Sequence, residues 1–130
     1  WLMVWEAKVG VVVMLTNVVE KYKTKCEQYW PEPGCTLRCR EFNINTRNET
    51  EHGPYIKRKL QVTNAKSEVR YITQLHFTTW PDHGTPPTTS GFLRFYDEMN
   101  ETLGEGKLPV VVHCRLGDIL KLYYCHKFTL

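Results

Sequence analysis

"GVVVMLT", residues 10–16, is an unbroken apolar run with no polar side chain before Thr16. A strand with one wet face alternates, so a run this uniform, rich in β-branched residues, predicts a strand buried on both faces and a sheet covered by helices. "LPVVVHC" at 108–114 repeats the signal near the other end of the chain. Between them, "YIKRKLQVTN" (55–64) and "EVRYITQLHFTTW" (68–80) alternate apolar and polar residues, as half-exposed antiparallel strands do. After the Pro and Gly cluster at 81–87, Phe92, Phe95, Tyr96, Met99 and Leu103 recur at spacings of three and four, with Ser90 available as a cap and Gly104 as a stop. That predicts an amphipathic helix. The order of strands, helix and strand reads as an α/β (α+β) domain, a mixed twisted sheet flanked by helices, with no internal repeat.

Composition narrows the class. With 130 residues and 42% apolar content the chain can bury one core and forms one domain. "WLMVWE" begins inside an apolar, helix-like pattern with no polar cap before it, which predicts an incomplete domain trimmed at its start. Seventeen Lys plus Arg against fourteen Asp plus Glu leave a net charge of +3, too weak and too scattered to predict a nucleic-acid partner despite "KRK" at 57–59. "VGVVVML" (9–15) is far shorter than the roughly 20 residues a membrane helix needs, so no membrane contact is expected within these residues. Five irregularly spaced Cys favour reduced thiols and a cytoplasmic setting, which makes the "NET" sequons at Asn48 and Asn100 chance matches. Cys35 and Cys39, or His113-Cys114 with Cys125-His126, lack a second pair at zinc spacing, so no metal is expected.

Two places carry chemistry. Cys114 stands where a buried strand opens into a Gly-containing turn, at the carboxyl edge where α/β proteins place ligands. A helix following it would offer backbone N–H groups that favour a thiolate and bind phosphate. The alternative is a small buried thiol capping a strand, with His113 a satisfied core histidine. In "TTWPDHGTP" (78–86), Trp80 and Pro81 stiffen one side of a loop and Gly84 lets the other bend, so Asp82 can ride on a lid as a proton donor. Alone, Asp before His-Gly reads as an ordinary turn. Together the two make a nucleophilic thiol with a mobile acid, the apparatus for splitting a phosphate ester through a covalent intermediate.

"KCEQYWP" (25–31), "HFTTWPDHGTP" (76–86) and "PVVVHC" (109–114), in this order, closely resemble the catalytic domain of the classical protein tyrosine phosphatases. "WLMVWE" and "GVVVMLTNVVEK" extend the likeness to the chain's start, so that residues 1–114 are family-like and 115–130 form a divergent tail. "KCEQYWP" with "WPDHG" looks most like the receptor-type members, which leaves a soluble enzyme and the intracellular domain of a receptor both open. The resemblance implies phosphotyrosyl proteins as partners and no metal or organic cofactor. It makes Cys114 the nucleophile, His113 the neighbour that helps keep it a thiolate, and Asp82 the substrate-contacting acid and later base. Trp80, Pro81 and Gly84 match the lid, and Gly117 the glycine that lets backbone amides approach phosphate.

The chain departs from the family at its signature, HCxxGxxR. The sixth residue after Cys114 is Leu120 where the family has Arg, Asp118 stands inside the loop, and the nearby cations are Arg115 and Lys121. An arginine clamp on two phosphate oxygens contributes several kcal/mol, on the order of a thousandfold in rate. Leu120 offers nothing of the kind, and Asp118 would repel the anion. The tail has no clean helical or strand period, and a changed reading frame, retained intron or cloning end explains it better than gradual divergence. Besides an active enzyme, a phosphotyrosine-binding protein without turnover and a truncated product that does not fold are therefore carried as alternatives.

Overall fold

The computed structural model describes residues 1–20, 22–79, 88–104, 109–114 and 121–123. In chain order the elements are α1 (Leu2–Glu6), β1 (Val11–Met14), β2 (Val19–Glu20), β3 (Lys23–Thr24), β4 (Thr36–Cys39), β5 (Phe42–Glu51), β6 (Tyr55–Thr63), β7 (Val69–Phe77), α2 (Thr89–Leu103), β8 (Val110–His113) and β9 (Lys121–Tyr123). Among the described residues seven strands form one mixed sheet in the order β4-β5-β6-β7-β1-β8-β9, and β2 with β3 makes a separate ribbon. The predicted α/β (α+β) architecture is the one observed.

The run at 10–16 becomes β1, all four of whose residues are buried. Its position explains the pattern: β1 runs parallel to β7 on one side and β8 on the other, with Val11 opposite both Thr73 and Val110. The two alternating stretches are β6 and β7, antiparallel with Leu60 opposite Ile72. Alternation in β7 ends at Gln74, after which every residue is buried, because there β1 lies alongside and both faces are covered.

One face of the sheet, carrying Val12, Met14, Ile44, Leu60 and Ile72, packs against α1 and Trp30. Too short to be stable alone, α1 is held by contacts: Arg70 Nη1 donates to the Trp5 carbonyl (2.6 Å) with its guanidinium 4.0 Å over the Trp5 ring, and Trp1 Nε1 donates to the Tyr29 carbonyl (3.1 Å). The opposite face, with Val11, Val13, Leu75 and Phe77, receives Phe95 and Met99 of α2. Phe92, Tyr96 and Leu103 flank them half-buried, so the predicted apolar stripe is the one that packs.

Three details differ from expectation. The cap of α2 is Thr88, in extended conformation, and Ser90 lies inside the first turn. Apolar spacing locates a helix face, but two hydroxyl residues this close compete for the cap on equal terms. Gly104 does end the helix, at φ 59°. The longest strand, β5, falls in a stretch with no expected element; its register with β6 shifts between Thr46 and Asn48, so its alternation changes phase midway. Lastly, the tail without a clean period contributes β9, antiparallel to β8 with Lys121 opposite Val112. Pairing with a buried strand satisfies these backbone groups whatever the side-chain period.

Candidate active site

Because β7, β1 and β8 are parallel, their carboxyl ends share one edge of the sheet, the edge at which such folds hold ligands. The edge is knitted by the Leu15 N–H, which donates to the His113 carbonyl (2.9 Å). Cys114, half-buried, is the first residue beyond β8. The structure thus brings His113 and Cys114 together at the predicted strand end.

Behind them lies a polar chain buried in the sheet face under Trp30. His113 Nδ1 is 3.0 Å from the Cys114 carbonyl and Nε2 is 2.8 Å from the Tyr29 hydroxyl. Tyr29 accepts from Gln74 Nε2 (2.9 Å), and Gln74 Oε1 accepts from Arg58 Nη1 (3.1 Å). The same Arg58 nitrogen lies 3.2 Å from His76 Nδ1, and His76 Nε2 is 2.8 Å from the Thr16 carbonyl. Arg58 Nε pairs with the Glu49 carboxylate, and its guanidinium stacks 4.7 Å over Trp30. Among the described residues no buried side-chain nitrogen or oxygen lacks a partner.

Electrostatics follow burial. Burial pushes the His113 pKa down, against the bond to the Cys114 carbonyl, which works upward. His76 is pushed down to about 4 by burial, with the Thr16 bond opposing and the Arg58 charge assisting. Burial also pushes the Tyr29 phenol up, so it stays an O–H. Both imidazoles behind the thiol are therefore neutral near pH 7.

Of the other predicted site residues, Trp80, Pro81, Asp82, Gly84 and Gly117 lie outside the described residues, as do Arg115, Asp118 and Leu120. The flanks of the 80–87 segment are described. Thr78 closes the end of β7, its carbonyl accepting from Asn17 Nδ2 (2.9 Å) and its N–H donating to the Pro54 carbonyl (3.0 Å), and Thr88 opens α2. One strand, β1, separates β7 from β8. At ordinary strand spacing the two chain ends stand about 10 Å apart.

Tyr29, Gln74, Arg58 and Glu49 were not among the predicted site residues. A signal for them exists: Arg58 is in phase with Leu60 and Val62, and Gln74 and His76 with Ile72, all core-facing. Polar residues in an apolar phase need buried partners, and so mark a network.

Residues 1–118 match the family model of protein-tyrosine phosphatase. Mouse tyrosine-protein phosphatase non-receptor type 4 is 39% identical over 118 residues, 90% of this chain and 13% of that protein. Tyrosine-protein phosphatase 16 of Styela plicata is 40% identical over 112 residues, 86% of this chain and 100% of that sequence. Among solved structures, PTPN18 in complex with HER2 phosphopeptides superposes with a TM-score of 0.83 at 31% identity, over 88% of this chain and 43% of that one. Most of these relatives are much longer than the part this chain spans, and they include both non-receptor and receptor-type phosphatases.

Proposed function

The chain belongs to the protein-tyrosine phosphatase family, and from that premise we propose that it hydrolyses phosphotyrosine in proteins, with Cys114 as nucleophile. The observation that supports this best is the place of Cys114: it leaves β8 at the carboxyl edge of the parallel strands, with neutral, half-buried His113 holding its carbonyl. In the first step the Cys114 thiolate attacks phosphorus, the bond to the tyrosine oxygen breaks, and Asp82 gives that oxygen its proton. In the second, water attacks the thiophosphate while the Asp82 carboxylate takes its proton; the sulfur–phosphorus bond breaks and inorganic phosphate leaves. Gly117 lets backbone amides approach the phosphate, and Trp80, Pro81 and Gly84 frame the moving segment. The Thr79 flank supports that role, since it leaves the sheet at the same edge as Cys114, with β1 between the two strands. The PTPN18 complex with phosphopeptides supports phosphotyrosyl protein segments as the partners.

The setting we propose is cytoplasmic, as a soluble enzyme or the intracellular domain of a receptor-type protein. Cys26, Cys35 and Cys39 are free thiols, as a reducing compartment favours. No described helix is long and apolar enough to cross a membrane.

A second reading, phosphotyrosine binding without turnover, is favoured by one feature. Leu120 stands where the family pattern has its arginine, and 115–130 departs from that pattern. Hydrolysis of an aryl phosphate decides between them. The enzyme reading expects turnover that is abolished in Cys114→Ser and lowered about 100-fold or more in Asp82→Asn. Phosphopeptide binding with no turnover in the unsubstituted chain selects the second reading.

A further inference from the structure

The bonds behind Cys114 have a direction, and it is set at Arg58. A guanidinium has only N–H groups to offer. The Gln74 atom 3.1 Å from Arg58 Nη1 is therefore its carbonyl oxygen, and its amide nitrogen is turned to Tyr29. The Tyr29 oxygen thus receives a hydrogen from Gln74 and must place its own elsewhere. His113 Nε2 at 2.8 Å is a far better acceptor than the Met14 sulfur at 3.8 Å. The other side of the ring agrees: Nδ1 lies 3.0 Å from the Cys114 carbonyl oxygen, which can only accept. Gln74 and Arg58 are 0% and 6% exposed, so water does not offer either an alternative partner.

We infer that Gln74, oriented by Arg58, is a positioning residue that fixes the imidazole of His113 with its proton on Nδ1 and Nε2 bare. The ring is thereby committed to the Cys114 carbonyl, and the thiol leaves β8 in one orientation. The inference deepens the reading of Cys114 as nucleophile and bears on catalysis only through it.

The test labels the 130-residue chain with isotopic histidine and reads by ring-nitrogen NMR which nitrogen of His113 carries the proton, its signals being assigned by their loss in His113→Asn. In the unsubstituted chain Nδ1 is expected protonated and Nε2 bare. Gln74→Glu preserves shape but presents Tyr29 with a carboxylate; Tyr29 donates to that group, and Nε2 is expected to shift from bare to protonated. In a Tyr29→Phe background the path is cut, and Gln74→Glu is expected to leave His113 unmoved. A protonated Nε2 in the unsubstituted chain overturns the inference, as does an Nε2 that stays bare in Gln74→Glu or an equal change in both backgrounds. Aryl phosphate hydrolysis is read on the same samples. An Nε2 response as expected without hydrolysis overturns the enzyme reading alone; hydrolysis with no Nε2 response overturns this inference alone.

Discussion

His76 is buried between the Thr16 carbonyl and the Arg58 guanidinium, and its pKa of about 4 compares with about 6.5 for an exposed imidazole. Between those values the unfolded chain takes up a proton that the folded chain refuses. The stabilisation is complete above about pH 6.5 and drains away as pH falls toward 4, amounting to about 3 kcal/mol at full loss. Half-buried His113, its pKa also pushed down, adds in the same direction. Urea denaturation near pH 7 and near pH 4.5 is expected to show an acid loss that is smaller by about 2 kcal/mol in His76→Gln; an equal loss in both chains contradicts this account. At this scale the sequence was legible in placing His113 and Cys114 at the end of a strand. It was opaque at Arg58 and Gln74, because a polar residue on a strand reads as its wet side until the opposing layer with Tyr29 and Trp30 is in place.

Among elements, α2 is tied to β6 through Glu98, which accepts from the Tyr55 hydroxyl (3.1 Å), Lys57 Nζ (2.6 Å) and Thr102 Oγ1 (3.2 Å). The Lys57 bond is the leading reason that the Glu98 pKa is held down. Lys57 is partly exposed, so the ion pair adds little, but the buried Tyr55 hydroxyl loses its acceptor if Glu98 is removed. Glu98→Ala is expected to cost about 1–2 kcal/mol in chemical denaturation, with Glu98→Gln recovering much of it; equal costs would place the effect in charge rather than in the Tyr55 bond. The helix was legible from its apolar spacing because α2 packs with a single stripe. The strand β5 was not: Phe42, Ile44 and Thr46 face the core, and then the bulge at Arg47 changes the phase, so no single alternation runs through its ten residues.

For the molecule as a whole, the two uniform runs located the parallel centre of the sheet, since only strands covered on both faces are apolar throughout. Strand order was not legible, because β1 finds its neighbours β7 and β8 far along the chain. Amide exchange should mirror that order: β1 and β7, paired on both sides, exchange slowest, and β4 and β9, the outermost described strands, fastest. Protection in β4 equal to that in β1 would refute it. The buried Arg58 also bears on how the chain assembles. Its charge can leave water only when Glu49 of β5, Gln74 and His76 of β7 and Trp30 are all present, since a partly matched buried charge is costly. No one of these segments can dock early and wait for the others. Sheet and covering strip should therefore melt as a single cooperative unit, with Trp30 fluorescence and backbone circular dichroism falling together on one curve.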